Sequence, residues 1–173
     1  MIITVEELKN RIECVTAADD VITANLEAIE SIIRKYTNNN FQMREIRFCG
    51  ASDGFNVYGS PRFFSVGDTV QISGSGVNDG LYLVISVAED RLVLNKPLFE
   101  AENNLVTKIK YPADVIQCAI DLYDWKRKNG DKVGLKSETL SRHSVTYEDS
   151  ATLFMGYPVG ILKGLSLYRK ARC

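Results

Sequence analysis

A chain of 173 residues with 45% hydrophobic side chains can bury an ordinary core, as one domain or as a small domain carrying an insert, which excludes a disordered reading. Its formal charge of −1 gives no global attraction to nucleic acid, so any such contact has to rest on a local patch. The four cysteines, Cys14, Cys49, Cys118 and Cys173, are scattered without a Cys-x-x-Cys pair and share the chain with one histidine, which argues against zinc and for free thiols in a reducing cytoplasm.

The chain opens MIITVEELKN, and charges arriving by Glu6 are incompatible with the apolar stretch of a signal peptide. No apolar run approaches the roughly 18 residues that span a bilayer. Thr4-Val5-Glu6-Glu7 reads as a capping box, after which Val5, Leu8, Ile12 and Val15 recur at helical spacing. A second helix follows Asp19 and Asp20, carries Ile22, Leu26, Ile29 and Ile33 on one stripe, and ends at Asn38-Asn39-Asn40. The two helices are expected to pack as an antiparallel pair. Cys14 and Cys118 are expected as small core residues.

From Phe41 the hydrophobic period changes from about 3.6 to 2 and glycines become dense. The spacing predicts strands over Glu45 to Cys49, Thr69 to Ser73, Leu81 to Val87, Arg91 to Asn95 and Leu105 to Lys110. Gly74 to Gly80 is a flexible loop and Ala88-Glu89-Asp90 a short hairpin connection. Leu81 to Val87 is too apolar to face water on either side, so a small barrel closed by these strands is the simplest arrangement. Helical chemistry returns at Tyr111-Pro112, with proline at the first helical position, and runs through Val115, Ala119 and Leu122 to a stop at Asn129-Gly130. Asp131 to Ser141 reads as a loop or short helical turn. A β-type run, Ser144 to Tyr147, then leads through a Gly-Tyr-Pro break into a short apolar helix and a cationic, aromatic end.

The expected fold class is therefore α+β: a small helical bundle of about four helices with an inserted small antiparallel β-barrel or meander. Residues 1–40 and 111–173 form the helical core with its docking tail, and residues 41–110 the inserted β domain.

Catalytic signals are weak. His143 lies near Glu148 and Asp149, but no nucleophile stands at a defined spacing, and the histidine reads as a loop or strand-edge residue. The glycines of Gly74 to Gly80 lack a following Lys-Ser/Thr and a helix N-terminus, so a hairpin loop is expected there and not a phosphate cradle. No catalytic residue, cofactor or metal ligand is assigned, and no enzymatic activity is expected. Lys126-Arg127-Lys128 closes a helix whose dipole it complements, and is the candidate channel-facing or DNA-facing patch.

The end of the chain carries the strongest signal, because arginine and tyrosine combine large contact area with directional hydrogen bonding. Tyr157, Pro158, Ile161, Leu162, Leu165, Tyr168, Arg169, Lys170 and Arg172 are the candidate partner-binding residues. A Tyr-Pro break, an Ile-Leu-x-x-Leu helix and a final Tyr-Arg-x-x-Arg resemble the C-terminus of the head-tail connector proteins of long-tailed double-stranded DNA phages, also called adaptor or head-completion proteins. The resemblance extends over Met1 to Thr37 and Tyr111 to Cys173, while Phe41 to Lys110 departs from the all-helical members as a β insertion.

The resemblance implies a dodecameric ring in the virion neck, assembled in the host cytoplasm, that binds the portal protein through its C-terminal segment. It further implies a tail-side stopper or completion protein as the next partner, and double-stranded DNA passing through the channel without sequence-specific binding. From a different class, the insert offers Tyr58, Arg62, Phe63 and Phe64 as a surface for stacking single-stranded bases, a nucleic-acid-binding alternative that the insert's many carboxylates oppose.

Overall fold

The computed structural model describes residues 1–130, 137–140, 143–146 and 153–171. The fold is α+β, and it divides into two compact units: Met1 with Asn40–Tyr111, and Ile2–Asn39 with Pro112–Cys173.

The first unit is a four-stranded antiparallel sheet of β1 (Gln42–Tyr58), β2 (Thr69–Ser73), β3 (Gly80–Val87) and β4 (Arg91–Ile109). The strand order is β1-β4-β2-β3, with β3 also pairing β4. This replaces the expected five-stranded barrel or meander. Arg91 to Asn95 and Leu105 to Lys110 are the two ends of the single strand β4, and β1 runs far past Cys49 to lie beside it. Side-chain alternation lapses in the middle of both strands, yet backbone pairing continues across register shifts at Gly50/Ser52, Ser52/Gly54 and Gly54/Asn56, where bulges absorb the extra residues.

Val57, Val70, Ile72, Val84, Leu92, Leu94 and Val106 form the core of this unit. Of β3, expected to be buried on both faces, only Val84 is buried and Ile85 faces solvent, because one face of this sheet carries the core. The unit's two ends meet: the Lys110 N–H donates to the Phe41 carbonyl at 3.0 Å, and the rings of Phe41 and Tyr111 lie 5.1 Å apart. Gly50 permits the sharpest approach, since a Cβ there would stand 1.7 Å from the Tyr58 carbonyl oxygen.

The second unit begins with α1 (Val5–Arg11), whose capping box is present as read from the sequence: the Glu7 N–H donates to Thr4 Oγ1 and the Thr4 N–H to the Glu7 carboxylate. Helix α2 (Asp19–Thr37) buries Ile22, Leu26, Ile29 and Ile33 and ends at Asn38 in the left-handed conformation. Helix α3 (Ala113–Asn129) starts one residue later than expected, with Pro112 at the N-cap. Its packing against α2 is more extensive than that of α1, so the principal helix pair joins segments distant in sequence.

Ser137–Leu140 is a strand, β5, paired with β6 (His143–Thr146), which corrects the loop or helical turn expected there; the rest of Asp131 to Ser141 lies outside the described residues. An extended segment satisfies its backbone groups by pairing, a partner that local sequence does not reveal. β7 (Leu153–Phe154) and β8 (Tyr157–Pro158) flank Met155 and Gly156, both at positive φ, and α4 (Val159–Lys163) follows. Cys118 is buried as expected, whereas Cys14 is exposed at φ 58, beyond the end of α1 and off its apolar face. Among the described residues no helix is long and apolar enough to cross a membrane.

Candidate partner-binding surface

The segment after β8 is built into its own unit. Tyr157, Pro158, Leu162 and Leu165 are buried, Ile161 is half-buried, and the Tyr157 ring sits 6.0 Å from that of Trp125. The Cys118 thiol lies 3.7 Å from the Ile161 carbonyl, and burial pushes that thiol up to about 12, with the Asp121 and Asp114 carboxylates adding to the shift. Four of the nine partner-binding candidates are thus core residues, because an apolar stripe of this spacing finds its complement on α3 before any outside surface.

Beyond α4, a 3-10 turn over Ser166–Tyr168 brings the chain back to the end of α2. The Tyr168 hydroxyl donates to both carboxylate oxygens of Asp114, at 2.9 and 2.8 Å. The Lys170 N–H donates to the Thr37 carbonyl at 2.8 Å, one of the carbonyls a helix end leaves free. Asn38 Nδ2 donates to the carbonyls of Lys170 and Ala171, and Asn39 Nδ2 to that of Tyr168. The Arg169 guanidinium lies 5.3 Å from the centre of the Tyr36 ring, which in turn meets Phe154 edge-on.

The expected free tail is therefore clamped as far as Ala171. The clamp residues, Asp114, Asn38 and Asn39, were missed as such: the Asn-Asn-Asn run is legible as a helix stop, but nothing local tells what its side chains bind. Arg172 lies outside the described residues. What the clamp leaves in solvent is Leu167, 91% exposed, with Arg169 and Lys170 beside it.

The cationic triplet is partly neutralised. Arg127 and Lys128 both bind the Asp124 carboxylate, and their hydrogen bonds, that of Lys128 foremost, hold its carboxyl below the usual range. Lys126 donates to Asn25 Oδ1 at 2.7 Å. Lys126, Arg127, Asn25, Ala17, Tyr123 and Gly130 line a depression of about 380 Å³.

In the loop Gly74 to Gly80 the Ser75 and Gly76 N–H groups donate to the loop's own Asp79 carboxylate. Of the base-stacking candidates, Phe64 belongs to the core and meets Phe48 edge-on, while Phe63 is 78% exposed and Tyr58 and Arg62 face solvent. His143 pairs with Leu140 in the β5–β6 register, and Glu148 and Asp149 lie outside the described residues. Among the described residues no group of three or more His, Cys, Asp or Glu side chains could hold a metal ion. Compared with protein-family models and with curated proteins, the chain matches none.

Proposed function

We propose that this chain is a structural assembly protein of the virion neck, a connector that forms a ring beneath the portal of a filled capsid, extends the channel for double-stranded DNA and presents a surface to the next tail-side component. The observation that carries the reading is the clamped end of the chain, where Leu167, Arg169 and Lys170 stand exposed on backbone that Asn38 and Asn39 fix in place. A pre-ordered apolar and cationic epitope loses little entropy when it docks. A ring then multiplies each weak contact through effective concentration. The resemblance of the closing Tyr-Arg segment to connector tails supports the portal as its target, with the buried Tyr157, Leu162 and Leu165 as scaffold and not as contact.

Co-sedimentation with the portal ring encoded beside this chain tests the proposal. The wild-type chain should bind saturably, and a Leu167→Ser/Arg169→Glu/Lys170→Glu variant should bind at least about tenfold more weakly. A folded wild-type chain that leaves the portal alone would sink the reading.

A further inference from the structure

The bulged middle of the β1–β4 pair is an unusually well-built knob. Asn78, Ser52 and Asn104 are buried and joined: Asn78 Nδ2 donates to Ser52 Oγ and to Asn104 Oδ1, and Asn104 Nδ2 donates to the Gly50 and Ala101 carbonyls. Asn78 also takes both main-chain groups of Phe99, accepting from its N–H at 2.8 Å and donating to its carbonyl at 2.9 Å. Three segments, around Ser52, Asn78 and Phe99, are thereby fixed at one place. The network orders the backbone before any partner arrives, which removes a main cost of docking.

This fixed knob puts large apolar side chains into water. Phe99 is 71% exposed, Val77 58% and Phe55 48%. Asp53, Glu100 and Glu102 are exposed beside them in sequence, and among the described residues none of the three is paired with a cation; Lys96, whose charge reaches Tyr82 and so the Asn78 end of the network, leaves the balance acidic. An aromatic centre with an acidic rim repels nucleic acid and anionic membranes, and suits a concave protein surface carrying positive charge.

Such a surface exists on the helical unit of the same chain. The depression beside α2 and α3 is lined by Ala17, Asn25, Tyr123, Lys126, Arg127 and Gly130, and exposed Val21 lies one helical turn before Asn25 on α2. Within the triplet, Arg127 and Lys128 share the one Asp124 carboxylate and Lys126 is held by the neutral Asn25, so the triplet itself keeps an excess of positive charge. Its volume of about 380 Å³ is of the size that takes an aromatic side chain.

We infer that the occupant is a second copy: the Phe99 knob of one molecule seats in the α2–α3 depression of the next, with Glu100 and Glu102 facing Lys126 and Arg127. The two surfaces differ, so the contact is heterologous and repeats from copy to copy, closing into a ring where the rotation permits. The inference rests on the ring reading above and supplies the contact that reading lacks. Within the helical unit the Leu167–Lys170 epitope lies by the end of α2 and the start of α3, and the depression by the start of α2 and the end of α3.

The test is a charge exchange followed by sedimentation velocity over a range of protein and salt concentrations. Wild type should associate with rising concentration, less so in high salt. Glu100→Lys/Glu102→Lys should be monomeric alone, as should Lys126→Glu/Arg127→Glu, and a mixture of the two should associate again, because each mismatched surface meets its complement on the other variant. Phe99→Ala, which leaves the main-chain hydrogen bonds in place, should weaken association at least about tenfold without lowering thermal stability. A wild type that stays monomeric throughout, variants that associate as wild type does, or a mixture that stays monomeric would each overturn the inference. Portal binding measured on the same Phe99→Ala protein separates the two proposals: a variant that binds the portal yet fails to self-associate, and a wild type that self-associates yet ignores the portal, sink different claims.

Discussion

Tyr168 donates to the Asp114 carboxylate on the surface of the molecule, and that pairing gives the end of the chain a pH response. The hydrogen bond and the adjacent negative charge favour the neutral phenol, so the Tyr168 hydroxyl is raised above its ordinary value of 10.0. A raised pKa in the folded state means that the folded chain holds the proton more tightly. The contribution is complete below the unfolded value and is lost as the pH climbs through the folded one. The clamp should therefore loosen only in strongly alkaline solution. In Asp114→Asn the ionisation of one tyrosine, followed by phenolate absorbance, should move back toward the ordinary value; an unchanged titration would mean that the pair does not form in solution. Single residues were unevenly legible here. Thr4 and Glu7 announce their capping box because both partners lie within one turn, but the Asp114 to Tyr168 bond spans half a domain and no local pattern encodes it.

At the scale of elements, the end of α2 and the last turn of the chain stabilise one another. Helix α2 stops at Asn38 with carbonyls unspent, and the returning segment supplies the Lys170 N–H, while Asn38 and Asn39 bind the segment's own carbonyls. A chain ending at Leu167 loses these bonds together with the Arg169 contact on Tyr36. At about 0.5–1.5 kcal/mol net for each of these four bonds, counting both carbonyls that Asn38 binds, the truncation should cost about 2–6 kcal/mol and lower Tm by several degrees or more. Thermal unfolding followed by circular dichroism checks this, and an unchanged Tm would show that the tail is only a passenger. Helices and short strands such as Thr69–Ser73 were readable because their periods are uninterrupted. The long strands β1 and β4 were not, since bulges break the alternation while the backbone goes on pairing. For the same reason the knob around Asn78 and Phe99 left no trace in a reading based on apolar spacing, although it lies where both strands lose their pattern.

At the scale of the whole molecule, the decisive fact is that the β unit begins and ends at one place. The Lys110 N–H reaches the Phe41 carbonyl, and the Phe41 and Tyr111 rings meet at a tilt, so residues 40–111 form a closed excursion from the chain. The unit has its own apolar core in Val57, Ile72, Val84, Leu92 and Val106, and its own buried polar network, whose donors meet acceptors within the unit. A segment with adjacent ends and a private core meets the conditions for folding alone. With about 70 residues it lies in the size range where one core is only marginally sufficient. Expressed as residues 40–111, it should give a β-type circular dichroism spectrum and a cooperative urea transition at lower midpoint than the full chain. Asn104→Ala within it should cost about 1–3 kcal/mol for each buried partner left unsatisfied, enough to abolish that transition. A fragment that shows no cooperative unfolding would mean that the β unit draws its order from the rest of the chain, and the knob would then be ordered only in the intact molecule.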